Sequence, residues 1–527
     1  MSHEYRSTLP IVTPTQQPVA TVDVRDSTTP PRIDPLRPPK GAPNVLFILL
    51  DDMGFGAPSA YGGPCEMPNA EALAGSGLRF NRFHTTALCS PTRAALLSGR
   101  NHHAVGMAAI TELATSYPGS NSARPPQAAP LAEMLRLNGY NTAAFGKWHQ
   151  TPVWETSQAG PFEHWPTGEG FEKFYGFLGG EVDQWAPTLY AGTEPIDTPR
   201  DPDYHLSVDL ADRTISYIRE QQAMMPDKPF FVYLAFGATH APHHAPKEYI
   251  DAYRGKFDQG WDAVREETLE RQKKLGVVPA DAELTPRPES LAAWDSLDDD
   301  RKRLFARLME TYAAFATHTD EQVGRVLAAL DDLDIADDTL IVYMLGDNGA
   351  SAEGNMDGTL NEYASYNVIQ EHADDMVGRI DDIGSHLTFN HYPAGWAHAM
   401  DTPYQWTKQC ASHWGGTRNG MVMRWPNGFA ARGEERTQFT HVIDLAPTVL
   451  RAAGIPEPTM VNGVAQMPLH GQPMNALFDD ADAPEEHSTQ YFEIFGNRGI
   501  YHEGWSAVTL HQVPWDIANP GGPFADD

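Results

Sequence analysis

Short apolar runs alternate with longer stretches of helical pattern along this chain, and this alternation constrains its fold more than any other feature. Runs such as NVLFILL, PFFVYLAFGA and TLIVYMLG are rich in Val, Ile, Phe and Tyr and have the length of buried strands. Between residues 249 and 330, apolar residues recur instead at spacings of three and four, as on one face of a helix. The alternation predicts an α/β fold with a large, mostly parallel sheet flanked by helices.

Polar residues stand directly after four of the apolar runs. The runs lead into Asp51 and Asp52, into Asp347 and Asn348, into Lys147, Trp148 and His149, and into Thr239 and His240. Ligands of open α/β sheets bind outside the carboxyl ends of the strands. We therefore expect these groups to converge on one pocket, with the Gly-, Asn-, Asp- and His-rich stretch from 349 to 404 forming loops over its mouth.

Charge and composition exclude several classes of partner. The chain has 38 Lys and Arg against 70 Asp and Glu, a formal net charge of -32, which opposes binding to nucleic acid or to acidic lipid. Its longest apolar runs fall short of the roughly 20 residues that cross a bilayer. The first residues lack the pattern of a secretory signal, and three cysteines make no disulfide framework. These features predict a cytoplasmic protein, and an anionic substrate would need a locally positive pocket.

Cys89 lies at the predicted start of a helix. Pro91 suits the first helical turn, Gly99 suits the helix end, and Arg93 shares a helix face with the cysteine. The positive helix end and the guanidinium favour an anion beside Cys89. The arginine follows the cysteine by four positions, whereas cysteine phosphatases need six, so the spacing disfavours a thiolate phosphatase.

The segment CSPTRAALLSG resembles the C-x-P-x-R signature of the formylglycine-dependent sulfatases, in the alkaline phosphatase superfamily. A second segment, GYNTAAFGKWH at 139–149, is similar to the other signature of that family. The similarity extends from about residue 44 to about residue 500, and is greatest to the bacterial arylsulfatases. It implies an alkaline-phosphatase-like fold and hydrolysis of sulfate monoesters, in particular aryl sulfates, to an alcohol or phenol plus inorganic sulfate.

The resemblance also implies how Cys89 acts. A separate maturation enzyme oxidises Cys89 to formylglycine (3-oxoalanine), whose hydrated aldehyde carries the attacking hydroxyl. The expected partners are thus a small-molecule sulfate ester and that maturation enzyme, with no nucleic acid and no membrane.

Four oxygen-bearing residues are the predicted metal ligands: Asp51, Asp52, Asp347 and Asn348. Carboxylate and amide oxygens suit Ca²⁺ or Mg²⁺ far better than zinc. The resemblance implies Ca²⁺, with Mg²⁺ as the alternative, and adds the modified Cys89 as a ligand. It also implies that Asp347 accepts the proton of the attacking hydroxyl.

The resemblance to the sulfatases also implies catalytic roles for other polar residues. Lys147 neutralises sulfate oxygens with Arg93 nearby, His149 contacts the formylglycine and acts as a base, and Lys408 bridges sulfate and the leaving oxygen. His240 binds a sulfate oxygen or protonates the departing alcohol, while His243 and His244 are expected to be structural residues or residues at the rim of the pocket. In an extended segment, Lys147 and His149 would point to the same side.

Two other functions remain open at this point. A phosphonate monoester hydrolase or phosphodiesterase of the same superfamily would bind a similar tetrahedral anion, and an inactive relative would bind sulfated ligands without turnover. The expected organisation is an extended arm at 1–43, a catalytic domain at 44–485 and the start of a C-terminal subdomain at 486–527. Because related arylsulfatases continue further, we expect this last subdomain to be incomplete.

Overall fold

The computed structural model describes residues 6–12, 17–29, 35–367, 369 and 371–516. Its strands are β1 Thr8–Leu9, β2 Asn44–Leu49, β3 Leu78–His84, β4 Asn141–Lys147, β5 Lys173–Phe177, β6 Leu189–Ala191, β7 Glu194–Ile196, β8 Phe230–Ala235, β9 Thr339–Leu345, β10 Arg418–Arg424, β11 Glu434–Arg436, β12 Thr440–His441, β13 Met460–Val461, β14 Val464–Ala465, β15 Thr489–Ile494, β16 Asn497–His502 and β17 Trp505–Thr509. Its α-helices are α1 Pro68–Ser76, α2 Cys89–Ser98, α3 Leu131–Arg136, α4 Leu206–Met224, α5 Lys247–Ala252, α6 Gly260–Leu275, α7 Asp299–Asp332, α8 Glu362–Tyr366, α9 Ala373–Met376, α10 Ala394–Met400, α11 Trp414–Thr417 and α12 Leu445–Ala452.

An 11-stranded mixed sheet forms the centre of the fold. Its strand order is β11-β3-β10-β9-β2-β8-β4-β5-β6-β7, with β12 also paired to β3. The five central strands β9, β2, β8, β4 and β5 run parallel, and β10 and β6 join them antiparallel on either side. The prediction of an α/β fold with a large, mostly parallel sheet is confirmed.

The two faces of the sheet carry separate hydrophobic cores. Along β2, Val45, Phe47 and Leu49 face a core shared with α2, α3 and α12, whereas Leu46 and Ile48 face one shared with α1, α4 and α7. This alternation follows from the two-residue period of a strand. Both faces are apolar because helices cover both of them, which makes three layers.

The helical pattern between residues 249 and 330 is confirmed by α5, α6 and α7. Helix α7 has 34 residues, and Asp298 caps its start by accepting a hydrogen bond from the backbone N–H of Arg301. No described helix is both long enough and apolar enough to cross a membrane.

Small sheets lie near both ends of the chain. The predicted arm contributes β1, which pairs in parallel with β13, and the buried side chain of Leu9 anchors it. At the other end, β15, β16 and β17 form an antiparallel sheet whose Phe492 and Tyr501 pack against Ala87 and Leu88, just before Cys89. The predicted domain boundaries remain predictions, and residues 1–5, 13–16, 30–34 and 517–527 lie outside the described part.

Candidate active site

Four strand ends meet at one edge of the central sheet. Strands β9, β2, β8 and β4 are neighbours in that order, and the polar residues that follow them come from the carboxyl end of each strand. Asp347, Asp51, His240 and Lys147 are all buried there, each at most 6% exposed. The structure thus brings together groups that are far apart in the chain, in the place that the strand ends predicted.

A cluster of oxygen atoms lies after β2 and β9. One carboxylate oxygen from each of Asp51, Asp52 and Asp347 lies within 4.8 Å of the others. The Asn348 amide donates to Asp52 Oδ1 over 2.7 Å, while Asn348 Oδ1 and Asp51 Oδ1 are buried with no hydrogen-bond partner among the described residues. Buried oxygens without partners are what a hard cation such as Ca²⁺ or Mg²⁺ would satisfy. The donor set therefore fits the metal that the sequence predicted.

Close backbone packing shapes this cluster. Gly346, between β9 and Asp347, has a φ of +117°, and an added Cβ would lie 2.0 Å from the carbonyl oxygen of Met53. Only glycine fits there without displacing the backbone. The tight turn places Asp347 directly beside the residues that follow β2.

Opposing charges set the pKa values of the two adjacent aspartates. Burial and the neighbouring Asp347 carboxylate raise the pKa of Asp51 well above its usual range, against the effect of Lys147. Burial also acts to raise the pKa of Asp52, but His240 and Lys408 outweigh it and the pKa of Asp52 is lowered. A divalent ion would compensate the neighbouring negative charge and the burial that raise the pKa of Asp51.

Helix α2 presents Cys89 and Arg93 to the oxygen cluster. Cys89 is its first residue, and Gly99 ends it in the left-handed conformation at φ +65°, as the sequence predicted. The Arg93 guanidinium is fully buried, 2.8 Å from Asp347 Oδ2, and donates to the Lys147 carbonyl oxygen over 3.1 Å. Arg93 therefore connects three of the converging segments.

Cys89 also contacts the segment after β4. Its Sγ lies 3.2 Å from His149 Nδ1, and His149 Nε2 lies 2.9 Å from Glu112 Oε2. Lys147 Nζ instead donates to Asp51 Oδ2 over 2.5 Å. The expectation of an extended 147–149 segment was wrong, because β4 ends at Lys147 and His149 has a φ of +51°. Both side chains nevertheless reach the pocket around Cys89.

The contacts of Cys89 determine its charge and that of its partner. Burial acts to raise the pKa of the Cys89 thiol, but Lys147 and His149 outweigh it and lower that pKa. Burial likewise acts to lower the pKa of His149, yet Cys89 and Glu112 raise it to about 9. His149 thus carries a proton at neutral pH in the unmodified chain.

We expect Glu112→Gln to lower the pKa of His149. The variant removes the carboxylate that stabilises the imidazolium, and an opposite charge in contact changes a pKa by about 1 to 3. The protonated form would then be lost at a lower pH than in the wild-type chain. An NMR pH titration of the His149 imidazole measures the change. Glu493→Gln is the control, since it removes a similar contact from His103, and equal His149 titration in all three proteins would contradict the expectation.

Lys408 contacts the oxygen cluster at Asp52. Its Nζ lies 2.9 Å from Asp52 Oδ2, 2.8 Å from Glu353 Oε2 and 3.3 Å from His240 Nε2. His240 Nδ1 lies 2.8 Å from the Ala241 carbonyl oxygen, which can only accept, so Nδ1 carries the hydrogen and Nε2 accepts from Lys408. Burial, together with the cation of Lys408, lowers the pKa of His240 to about 3.

Sequence reasoning missed two residues of this pocket. Glu353, in the long stretch after β9, pairs with Lys408, and Glu112, in a short turn, pairs with His149. His243 and His244 are buried by packing, with His244 Nε2 bonded to the Thr388 carbonyl oxygen. Their contacts agree with the structural role that we expected for them.

The fold and the pocket define a class of protein. It is an α/β protein in which buried oxygen atoms that could bind a metal ion, together with cationic side chains, lie at the carboxyl ends of the sheet strands. The sequence model of the Sulfatase family matches residues 43–455. The chain belongs to the sulfatase family.

Individual relatives support this assignment. The chain is 29% identical over 496 residues to an uncharacterised sulfatase of Schizosaccharomyces pombe, with 88% of this chain and 85% of that protein covered. It is 27% identical over 469 residues to an arylsulfatase of Klebsiella aerogenes, and the alignment covers 86% of this chain and 95% of that protein. The crystal structure of Ps i-CgsB has the same fold, with a TM-score of 0.60 and 22% sequence identity. The superposition covers 90% of this chain and 85% of that one. The predicted resemblance to sulfatases is confirmed.

Proposed function

We propose that this protein hydrolyses sulfate monoesters, with aryl sulfates as the preferred class, to an alcohol or phenol plus inorganic sulfate. The observation that carries the proposal is the convergence of Cys89, Lys147, His149 and Lys408 on the oxygen cluster. This arrangement supplies cations for a tetrahedral anion in a protein whose net charge is -32. The similarity to an arylsulfatase supports the choice of leaving group.

Two groups that the family implies would complete the site. Formylglycine, made from Cys89 by a maturation enzyme, would supply the attacking hydroxyl of a hydrated aldehyde. Ca²⁺, or Mg²⁺, would polarise a sulfate oxygen and lower the pKa of that hydroxyl. Asp51, Asp52, Asp347 and Asn348 are the residues that would hold the ion.

The residues of the chain itself supply binding and proton transfer. The ammonium groups of Lys147 and Lys408 neutralise sulfate oxygens from two sides. His149 lies against the Cys89 side chain, where it exchanges a proton with the nucleophile. Asp347, oriented by Arg93, is a second proton acceptor near the same point.

The leaving oxygen is protonated by Lys408 in this proposal. His240 Nε2 accepts from Lys408, so that imidazole has no hydrogen on the nitrogen that faces the pocket. The Lys408 ammonium is therefore the proton donor in this part of the pocket, and His240 holds it in place. This proposal therefore gives Lys408, and not His240, the role of protonating the departing alcohol.

We expect Lys408→Ala to slow poor leaving groups more than good ones. General acid catalysis contributes about 10²- to 10⁴-fold, and it matters most when the leaving alkoxide is basic. The measurement is kcat/KM for a series of aryl sulfates whose phenols differ in pKa. The matched control is Lys147→Ala, which removes a cation near Asp51 and should slow every ester by a similar factor. If the logarithm of kcat/KM depends on the pKa of the phenol with the same slope in wild type and in Lys408→Ala, Lys408 is not the acid.

Substrate preference tests the proposed reaction itself. We expect kcat/KM to be higher for nitrophenyl sulfate than for phenyl phosphonate and phosphodiester analogues. Faster chemistry on phosphorus would favour a phosphonate monoester hydrolase or phosphodiesterase instead. Absence of turnover of every ester by protein with verified formylglycine would favour a binding role.

A further inference from the structure

A second group of buried ligand-type side chains lies beyond Lys408. One atom from each of Glu353, Glu362 and His391 lies within 4.8 Å of the other two. Lys408 Nζ separates this group from the oxygen cluster, since it lies 2.8 Å from Glu353 Oε2 and 2.9 Å from Asp52 Oδ2. None of these three residues is among the ligands that the family resemblance implied.

Glu362 is the member of the group that most requires a ligand. It is the first residue of α8 and is fully buried, and neither of its carboxylate oxygens has a described N–H or hydroxyl donor. Its polar neighbour is another carboxyl, that of Glu181. Asp52 and Glu353 share the Lys408 ammonium, whereas no ion pair to Glu362 occurs in the described part of the chain. A buried carboxylate without a counter-charge is strongly unfavourable, so a cation beside Glu362 would stabilise this arrangement.

His391 presents its unprotonated ring nitrogen to the same group of side chains. Its Nδ1 lies 2.8 Å from the Tyr392 carbonyl oxygen, which can only accept, so Nδ1 carries the hydrogen and Nε2 does not. The contact of Nε2 is Ser351 Oγ at 3.0 Å. That hydroxyl also lies 2.8 Å from Glu353 Oε2 and has one hydrogen for these two acceptors. Because the hydroxyl can donate to Glu353 Oε2 instead, a cation can take the Nε2 electron pair without leaving the serine unpaired.

We propose that Glu353, Glu362 and His391 form a second divalent-cation site, which prefers Zn²⁺. Carboxylate oxygens and a neutral imidazole oriented by a backbone carbonyl are both ligand types that zinc takes in proteins. The oxygen cluster around Asp51 has no imidazole and therefore prefers Ca²⁺ or Mg²⁺. Two carboxylates balance the charge of the ion, which leaves Lys408 paired with Asp52.

Metal stoichiometry tests the proposal without reference to activity. The full chain, carrying Cys89→Ala so that the thiol of the active-site pocket cannot bind zinc, is stripped with a chelator, saturated with Ca²⁺ and dialysed against Zn²⁺. Elemental analysis then counts both ions. We expect one Zn²⁺ per chain in addition to Ca²⁺, and one fewer Zn²⁺ in Glu362→Gln with Ca²⁺ unchanged. Glu248→Gln, which removes the same charge from an exposed position, is expected to keep the zinc.

Further variants separate this site from the oxygen cluster. Asp347→Asn is expected to bind Ca²⁺ more weakly and to bind Zn²⁺ as before. His391→Gln is expected to lose Zn²⁺ binding and to bind Ca²⁺ as before. The expected loss of zinc affinity exceeds about 100-fold, because changing groups that merely orient a ligand already costs about 10- to 100-fold. Melting curves of the metal-free variants verify folding. The proposal is overturned if the Cys89→Ala chain takes up no Zn²⁺, or if Glu362→Gln and His391→Gln both retain it.

Discussion

Replacing Cys89 with alanine is expected to abolish hydrolysis of sulfate esters. Cys89 lies at the start of α2, in contact with His149 and beside the oxygen cluster, and no other described cysteine reaches that pocket. Loss of a nucleophile in a hydrolase lowers kcat by about 10⁶-fold. The measurement is kcat on nitrophenyl sulfate, with the folded state of the variant verified by its melting curve.

Cys65→Ala is the matched control for this variant. Cys65 is also a buried free cysteine, but its surroundings are the hydrophobic core. We expect its replacement to change kcat/KM little, because its side chain contacts no polar group of the pocket. Turnover by Cys89→Ala at a rate near that of wild type would show that the nucleophile lies elsewhere.

Arg93→Met is expected to destabilise the metal-free protein by about 3–5 kcal/mol. The guanidinium is fully buried between Asp347 and Asp51, 2.8 Å and 3.6 Å from their carboxylate oxygens. Removing one partner of a buried ion pair leaves an uncompensated charge, and that cost has this magnitude. Urea unfolding measures it. With Ca²⁺ bound the loss should be smaller, because the ion compensates the same carboxylates.

A more exposed ion pair provides the control for Arg93. Arg424 lies 3.4 Å from Asp337, whose side chain is 67% exposed. Solvent screening limits such pairs to about 1 kcal/mol or less, so Arg424→Met should cost far less than Arg93→Met. Equal destabilisation by the two variants would mean that the buried carboxylates do not depend on Arg93.

The fold could be predicted because its signal is local. Runs such as β2 and β9 are apolar on both sides, and the long pattern of α7 repeats every three to four residues. Each pattern directly reflects which side is buried. The antiparallel position of β10 between β3 and β9 was not predictable in this way, because the residues of a strand do not indicate its direction.

The candidate site was predictable where strand ends carry it. Asp51, Asp347 and Lys147 lie at the carboxyl ends of β2, β9 and β4, within four consecutive strands of the sheet, so strand order alone brings them together. Lys408 and Glu353 lie in irregular segments, and only the family resemblance indicated the lysine. Glu112 reaches His149 from a short turn that has no signature in the sequence.

The side-chain geometry around Cys89 shows a further limit of sequence reasoning. Two residues at spacing two point to one side only in extended backbone, and His149 instead adopts a positive φ. Its imidazole reaches Cys89 through that turn, while Lys147 turns to Asp51. The local pattern thus indicated the right residues but the wrong backbone conformation at residue 149.

Peptide mass spectrometry across Cys89 tests the central claim most directly. Protein from its native host, shown to hydrolyse nitrophenyl sulfate, is digested and the peptide that contains Cys89 and Arg93 is analysed. We predict a mass in which the CH₂SH side chain of Cys89 is replaced by CHO, together with reaction of that peptide with a hydrazine. An unmodified thiol throughout a fully active preparation would contradict the claim that Cys89 is the precursor of the nucleophile.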